Sequence, residues 1–268
     1  MEKLKILLEA QLEDNGHRYV QNWGKADLHI HSAAGDGIPT PKEILDYVDE
    51  VVGLDVIAIT DHDEIKGAHE ARELAARGNY KCKVIVGSEI TTLDGHLLAL
   101  FIEKPIRMLQ SLEKTIAAVH DQGGICIVPH PMSWLTLSVG HKLLLRVMSN
   151  PSADVYFDGI EMINSSIAGR VAYKKARILN ETVLGLPEVG GSDAHHLHLI
   201  GTGHTLFEGT TADEFRHALL EKRTKAAGKF VTANEQLQGA AEQQLKSLVI
   251  HPGQKLYRAI NAMLNQEQ

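Results

Sequence analysis

Apolar and β-branched residues recur along the chain in short runs, at residues 26–30, 55–60, 83–86, 96–102, 124–128, 159–163 and 188–191. Most of these runs lack the strict alternation of a half-exposed strand, which predicts strands buried on both faces. Between them the period lengthens to that of a helix: Ile44, Val48, Val51 and Val52 share one face, as do Leu109, Leu112, Ile116 and Val119. Strand then helix, repeated, predicts an α/β fold on a parallel sheet or barrel. Thr40-Pro41-Lys42-Glu43 and Thr211-Ala212-Asp213-Glu214 both read as capping boxes at helix starts. Asp94-Gly95, between two apolar runs, predicts a hairpin turn, so the alternation breaks there and the barrel is expected to be distorted.

Beyond Gly228 the pattern becomes helical and rich in Gln and Ala, with Leu237, Ala241, Leu245 and Leu248 on one face. After the breaker Pro252-Gly253 comes a last short helix carrying Leu256, Ile260 and Met263. The expected organisation is a barrel with an N-terminal helix over residues 1–228. A helical extension over 229–268 then packs on the barrel or on a second subunit. A chain of 268 residues with 44% apolar content is long enough for one such core.

A formal net charge of −7 opposes unaided binding to a nucleic-acid backbone or an anionic membrane. Bound divalent cations would reverse that locally. Cys82 and Cys126 lie in apolar contexts and read as buried reduced thiols, which suits a cytoplasmic protein. Charges interrupt the apolar positions of the first ten residues, unlike a signal peptide, and no apolar segment nears the ~18 residues of a membrane span.

The chemistry gathers where the apolar runs stop. His29 and His31 are two apart on a predicted strand and project from one face; Asp193 and His195 repeat that relation. His62, Glu89 and His130 each follow a further run. In a barrel these are carboxyl-end positions, where sites are assembled from several strands. So many ionisable groups buried without a metal would cost several kcal/mol, so together they predict a divalent-metal site. Asp36, in a Gly-flanked turn, can fold back to complete a coordination shell, and reads equally well as a simple turn aspartate. His96 either lies back over the barrel mouth from the hairpin or is exposed in a turn. Asp61 and Asp63 are expected to orient neighbours or cap a helix. His17, His69, His120, His141, His217 and His251 read as solvated, whereas His196, His198 and His204 follow His195 closely enough to reach a substrate.

Four pieces in this order, Asp27 to Ser32, His62 within Thr60 to Asp63, His130-Pro131, and Asp193-Ala194-His195, resemble the motifs of the PHP (polymerase and histidinol phosphatase) superfamily, with Glu89 as a fifth. The resemblance runs from about Lys25 to Thr205. It implies a distorted seven-stranded α/β barrel holding two or three divalent ions, Mn, Fe or Zn. By position, His29, His31, Asp36, His62, Glu89, His96, His130, Asp193 and His195 are then metal ligands, with Glu89 a bridge. The branch it looks closest to comprises small stand-alone phosphoesterases acting on nucleotide phosphates or short oligonucleotides.

The expected reaction is hydrolysis of a small phosphate ester by metal-bound hydroxide. The chain has neither a Gly-x-Ser-x-Gly elbow nor a Walker A loop, consistent with a route that needs no covalent intermediate. Arg170 is a candidate phosphate partner or an ordinary solvated helix arginine, and His198 and His204 are candidate leaving-group acids. The rival readings are hydrolysis of a C–N bond by an amidohydrolase-type site and a metal-binding regulatory protein without turnover.

Overall fold

The runs without alternation become the buried strands of one sheet, seen in a computed structural model that describes residues 23–149 and 154–237. The helical positions predicted at Ala241, Leu245, Leu248, Leu256, Ile260 and Met263, and the predicted N-terminal helix, lie outside the described residues. The strands are β1 (Trp23–Ile30), β2 (Val56–Ile59), β3 (Lys83–Thr92), β4 (Gly95–Leu100), β5 (Ile125–Val128), β6 (Gly159–Asn164), β7 (Glu188–Gly191), β8 (Gly203–Glu208) and β9 (Thr224–Gly228). Their order is β7-β6-β5-β4-β3-β2-β1-β8-β9. Every residue of β2 is buried, as its uniform Val-Ile-Ala-Ile composition predicts.

β1, β2 and β3 run parallel, and so do β5, β6 and β7; β4 is antiparallel to both its neighbours. The cause is the predicted hairpin. Asp94-Gly95 turns the chain, with Gly95 at φ 129°, and Thr92 pairs with Gly95 across it. Such a φ suits glycine alone. The sheet then curls until Ala194, just past β7, bridges Ile30 of β1, with the His31 N–H donating to the Ala194 carbonyl at 2.9 Å.

Among the described residues this nearly closed barrel sheet has nine strands where the resemblance implies seven. β8 and β9 pair antiparallel beside β1. β8 buries only Gly203, Thr205 and Phe207, and β9 reads Thr-Lys-Ala-Ala-Gly, so neither shows the continuous apolar run that marks a fully buried strand.

The helices are α1 (Pro41–Tyr47), α2 (Lys66–Arg77), α3 (Leu112–Asp121), α4 (His141–Ser149), α5 (Ile167–Leu179), α6 (Ala212–Leu220) and the short α7 (Ala233–Leu237). Both predicted capping boxes form, on Thr40 with Glu43 and on Thr211 with Glu214. Two helical expectations change. Val51 is exposed because α1 passes into a π-turn over Val48–Val52, whose wider winding shifts the apolar face. Leu109 precedes α3, which Ser111 caps, and is exposed. One core layer sits between sheet and helices, including Ile44, Leu45, Ile57, Ile59 and Ile116. A second contains Leu28, Ala58, Leu98, Ile127 and Phe207, to which α6 adds Phe215 in edge-to-face contact with Phe207.

His120 departs from the solvated reading. Its Nε2 lies 2.9 Å from Asp158 Oδ2, its Nδ1 lies 3.0 Å from the Asp154 carbonyl, and Tyr156 stacks on the ring. Both nitrogens face acceptors, which favours the doubly protonated ring. Burial pulls this imidazole down, but the Asp158 hydrogen bond, the Asp154 carbonyl and the charges of both aspartates outweigh it and hold the pKa above the ordinary value. The clamp is therefore fully present below about pH 6.5, the unfolded value, and is lost as pH rises through the raised folded value. His120→Gln is expected to lower Tm most near pH 6, with the gap to the native chain narrowing by pH 9. A gap independent of pH in thermal melts would contradict the charged clamp.

Candidate metal centre

Strand register aims the first two histidines. Asp27 pairs with Ile57 but Ile30 with Ile59, so β1 spends an extra residue between them, a bulge that turns the strand end. His29 and His31 are both fully buried beyond the apolar layer. His62 follows β2 and makes an isolated bridge to Glu89 on β3. His96 is the second residue of β4, opposite Thr91 in the hairpin. His130 follows β5, and Asp193 and His195 follow β7. His130 at φ 29° and Asp193 at φ 56° hold the left-handed backbone region, where a non-glycine residue is strained and such strain is concentrated at functional sites.

These side chains converge on Glu89. Its Oε2 lies 3.0 Å from His29 Nε2, 3.4 Å from His31 Nε2 and 3.5 Å from His62 Nδ1. Its Oε1 lies 2.9 Å from both His96 Nδ1 and His130 Nε2. Asp193 Oδ1 approaches His31 Nε2 at 3.3 Å, and the two oxygens of Asp36 approach His31 Nδ1 at 3.5 Å and His195 Nε2 at 3.4 Å. Three adjoining sets result: His29, His31, Glu89 and Asp193; His31, Asp36, His62 and His195; and His62, Glu89 and His96. Neighbouring sets share His31, Glu89 or His62.

The donor atoms fit divalent cations. Both ring nitrogens of His31 and Asp36 Oδ1 are buried and make no hydrogen bond. Buried polar atoms are almost always paired, and imidazole nitrogens with carboxylate oxygens at this density are what zinc, iron or manganese bind.

Charge points the same way. Burial pulls the His29 imidazole down, but Asp193, Glu89 and Glu161 outweigh it and raise its pKa well above the ordinary value. Burial likewise opposes a charge on His31, yet contacts with Asp193 and Glu89 and the charge of Asp36 push it up to about 10. Burial also works against ionised Glu89, which the charges of His62, His96 and His29 hold well below the carboxylate range. His62 goes the other way: burial, with the like charges of His31 and His96, takes it down to about 4 despite Glu89. Protons on His29 and His31 thus occupy the electrostatic role a cation would fill, and metal binding would release them.

An outer layer fixes the donors. Glu161, in the middle of β6, places Oε1 3.1 Å from His29 Nδ1, while its Oε2 accepts the His130 N–H at 2.8 Å and Asn164 Nδ2 at 2.9 Å. Asn164 Nδ2 also reaches Asp193 Oδ2 at 3.3 Å. Ser138 Oγ lies 2.8 Å from His130 Nδ1. Such partners set the tautomer and orientation of ligating side chains. Asp61 accepts both the N–H and the Oγ–H of Ser32 at 2.6 Å, and Asp63 accepts the Thr91 N–H at 2.7 Å, so both act as orienting acids. Sequence reasoning missed Glu161, Asn164 and Ser138. For Glu161 the signal was one acid inside the apolar run 159–163.

Three candidates are not brought to the cluster. His198 is exposed, and its Nε2 faces the Glu235 carbonyl at 3.2 Å. His204 Nδ1 lies 3.0 Å from the Gly201 carbonyl. Arg170 is exposed on α5, and among the described residues its guanidinium has no partner.

Fold and site together define a class: a mixed α/β barrel with clustered histidines and carboxylates at the carboxyl ends of its strands. A PHP-associated family model matches residues 175–224. An uncharacterized protein of Methanocaldococcus jannaschii is 34% identical over 171 residues, which cover 60% of this chain and 89% of that protein. A Haemophilus influenzae 5'-3' exoribonuclease is 33% identical over 105 residues, 38% of this chain and 37% of the enzyme. Among solved structures, a two-domain Bacteroides vulgatus protein containing a predicted PHP-like metal-dependent phosphoesterase superposes with TM-score 0.62 at 21% identity, covering 83% of this chain and 70% of that one. Residues 175–224 thus carry a PHP-associated match, and the chain shares the fold of PHP-like metal-dependent phosphoesterases. Among the described residues no helix is long and apolar enough to cross a membrane.

Proposed function

We propose that this chain is a metal-dependent phosphoesterase hydrolysing a small phosphate ester, a nucleotide phosphate or a short oligonucleotide. The observation that carries the reading is the sharing of Glu89, His31 and His62 among adjoining donor sets, which suits a centre of three ions. The first set would hold one ion, the second another, and His62, Glu89 and His96 with the adjacent His130 a third. Divalent ions there supply Lewis acidity to phosphoryl oxygens and offset charge on the attacking and leaving oxygens.

The protein's own part is positioning. Glu161 and Ser138 lock the rings of His29 and His130, Asn164 steadies Asp193, and Leu28 beside His29 belongs to a fully buried apolar cluster. Rigid donors reduce the reorganisation needed when charge develops on a substrate. The kinship with the exoribonuclease supports nucleotide-type substrates.

The test is an assay of protein loaded with Mn, Fe or Zn against nucleoside monophosphates, a 5'-phosphorylated dinucleotide, ribose 5-phosphate and cyclic amides. Phosphate or nucleotide release, abolished by chelator and restored by metal, is expected. Amide turnover without cleavage of any phosphoester would overturn the reading.

A further inference from the structure

Loop 132–139 follows His130-Pro131 directly and is hydrogen-bonded to members of the cluster. Ser138 Oγ meets His130 Nδ1, the Leu137 carbonyl accepts the His96 N–H at 3.0 Å, and the Ser133 N–H donates to the His130 carbonyl at 3.2 Å. The side chain of His130 and the backbone of His96 are therefore tied to this loop. The loop also leaves apolar side chains open: Trp134 is 76% exposed and Leu137 59%, with Leu93 exposed on the Asp94-Gly95 hairpin.

The chain has only two tryptophans, and the other, Trp23, lies beneath the Lys225 ammonium. Among the described residues Trp134 has no ring or cation against it. A large indole left open beside a functional site marks a binding surface. Trp134 lies four positions after His130, so their Cα atoms are at most about 14 Å apart.

Resting on the phosphoesterase reading, we propose that Trp134, with Leu137 beside it, is the platform on which a nucleobase of the substrate stacks. The site would then select phosphoesters that carry a base. An indole face accepts any base, which gives affinity without sequence preference. The net charge of −7 disfavours an anionic lipid surface as the occupant.

Trp23→Phe leaves Trp134 as the sole indole, whose fluorescence reports directly. The variant, metal-free and Zn-loaded, is titrated with AMP, a 5'-phosphorylated dinucleotide, ribose 5-phosphate and inorganic phosphate. Quenching by base-bearing ligands but not by the last two is expected. Quenching by AMP assigns the platform to the base of the phosphate-bearing nucleotide, and quenching by the dinucleotide alone assigns it to the neighbouring base.

In Mn-loaded enzyme, Trp134→Ala is expected to reduce the ratio of kcat/KM for the base-bearing substrate to that for ribose 5-phosphate about tenfold, and Trp134→Phe to restore most of it. Absent or indiscriminate quenching, or an unchanged ratio, would overturn the proposal. So would a dimer of the native chain that Trp134→Ala dissociates, since the patch would then be an interface between copies. Turnover of base-bearing phosphoesters without quenching removes only the platform, whereas base-specific quenching without any phosphoester cleavage removes only the phosphoesterase reading.

Discussion

Glu89→Gln is expected to lower kcat/KM more than about 100-fold and to reduce the metal content of the purified protein. Loss of partners that merely orient ligands already costs 10–100-fold in affinity or activity, and Glu89 stands inside that layer. Its two oxygens meet five imidazoles, those of His29, His31, His62, His96 and His130. Glutamine keeps the shape but removes the charge and one acceptor, so two adjoining donor sets fail at once. The same change leaves buried imidazolium charge on His29 and His31 less compensated. Breaking a buried ion pair by removing one partner costs about 3–5 kcal/mol, so the metal-free variant is also expected to unfold at lower denaturant. Elemental analysis, steady-state kinetics and urea unfolding read the three effects. A variant with native metal content and native kcat/KM would refute the hub role.

Asp27→Ala is expected to destabilise the fold by about 3 kcal/mol, through loss of hydrogen bonds at the closure of the barrel. Asp27 is fully buried next to the bulge of β1. Its Oδ1 accepts the Ser192 N–H at 2.9 Å, its Oδ2 accepts the Gly201 N–H at 2.8 Å, and the His29 N–H lies 3.3 Å away. One carboxylate thus ties β1 to the segment that carries Asp193 and to the turn before β8. Burial pushes its carboxyl up to about 6, with Ser192, Gly201 and His29 limiting the rise. Alanine orphans those backbone donors, each at about 1–3 kcal/mol, while relief of the buried charge offsets part of the loss. A fall in Tm of roughly 10 °C follows for a domain of this size. A melt within 2–3 °C of the native chain would show that water or relaxation replaces the clamp.

The fold was legible where the pattern reflects burial alone. Val56–Ile59 is apolar throughout because it is covered on both sides, and Asp94-Gly95 announces the turn that reverses β4. β8 was hidden because half of its positions face away from the core, and β9 because its residues carry no strand signal.

The site was legible where strand geometry governs it. Spacing of two places His29 with His31, and Asp193 with His195, near one another. Proximity in sequence misleads past His195, where the 3-10 turn Leu197–Leu199 carries His198 toward Glu235. Glu161 and Asn164 act across the barrel, on a side chain 132 residues earlier and one 29 residues later respectively. No local spacing encodes such a contact. His120 was misread for the same reason, since its partners Asp154 and Asp158 come from a distant connection.

Anomalous diffraction from crystals of the protein purified without chelator, collected at the Mn, Fe and Zn edges, addresses the centre itself. Two or three peaks among Glu89, His31 and His62, each within bonding distance of the donors assigned to it, are the result that the convergence of these side chains predicts. A cluster that stays free of peaks after soaking in each of these metals in excess would contradict it.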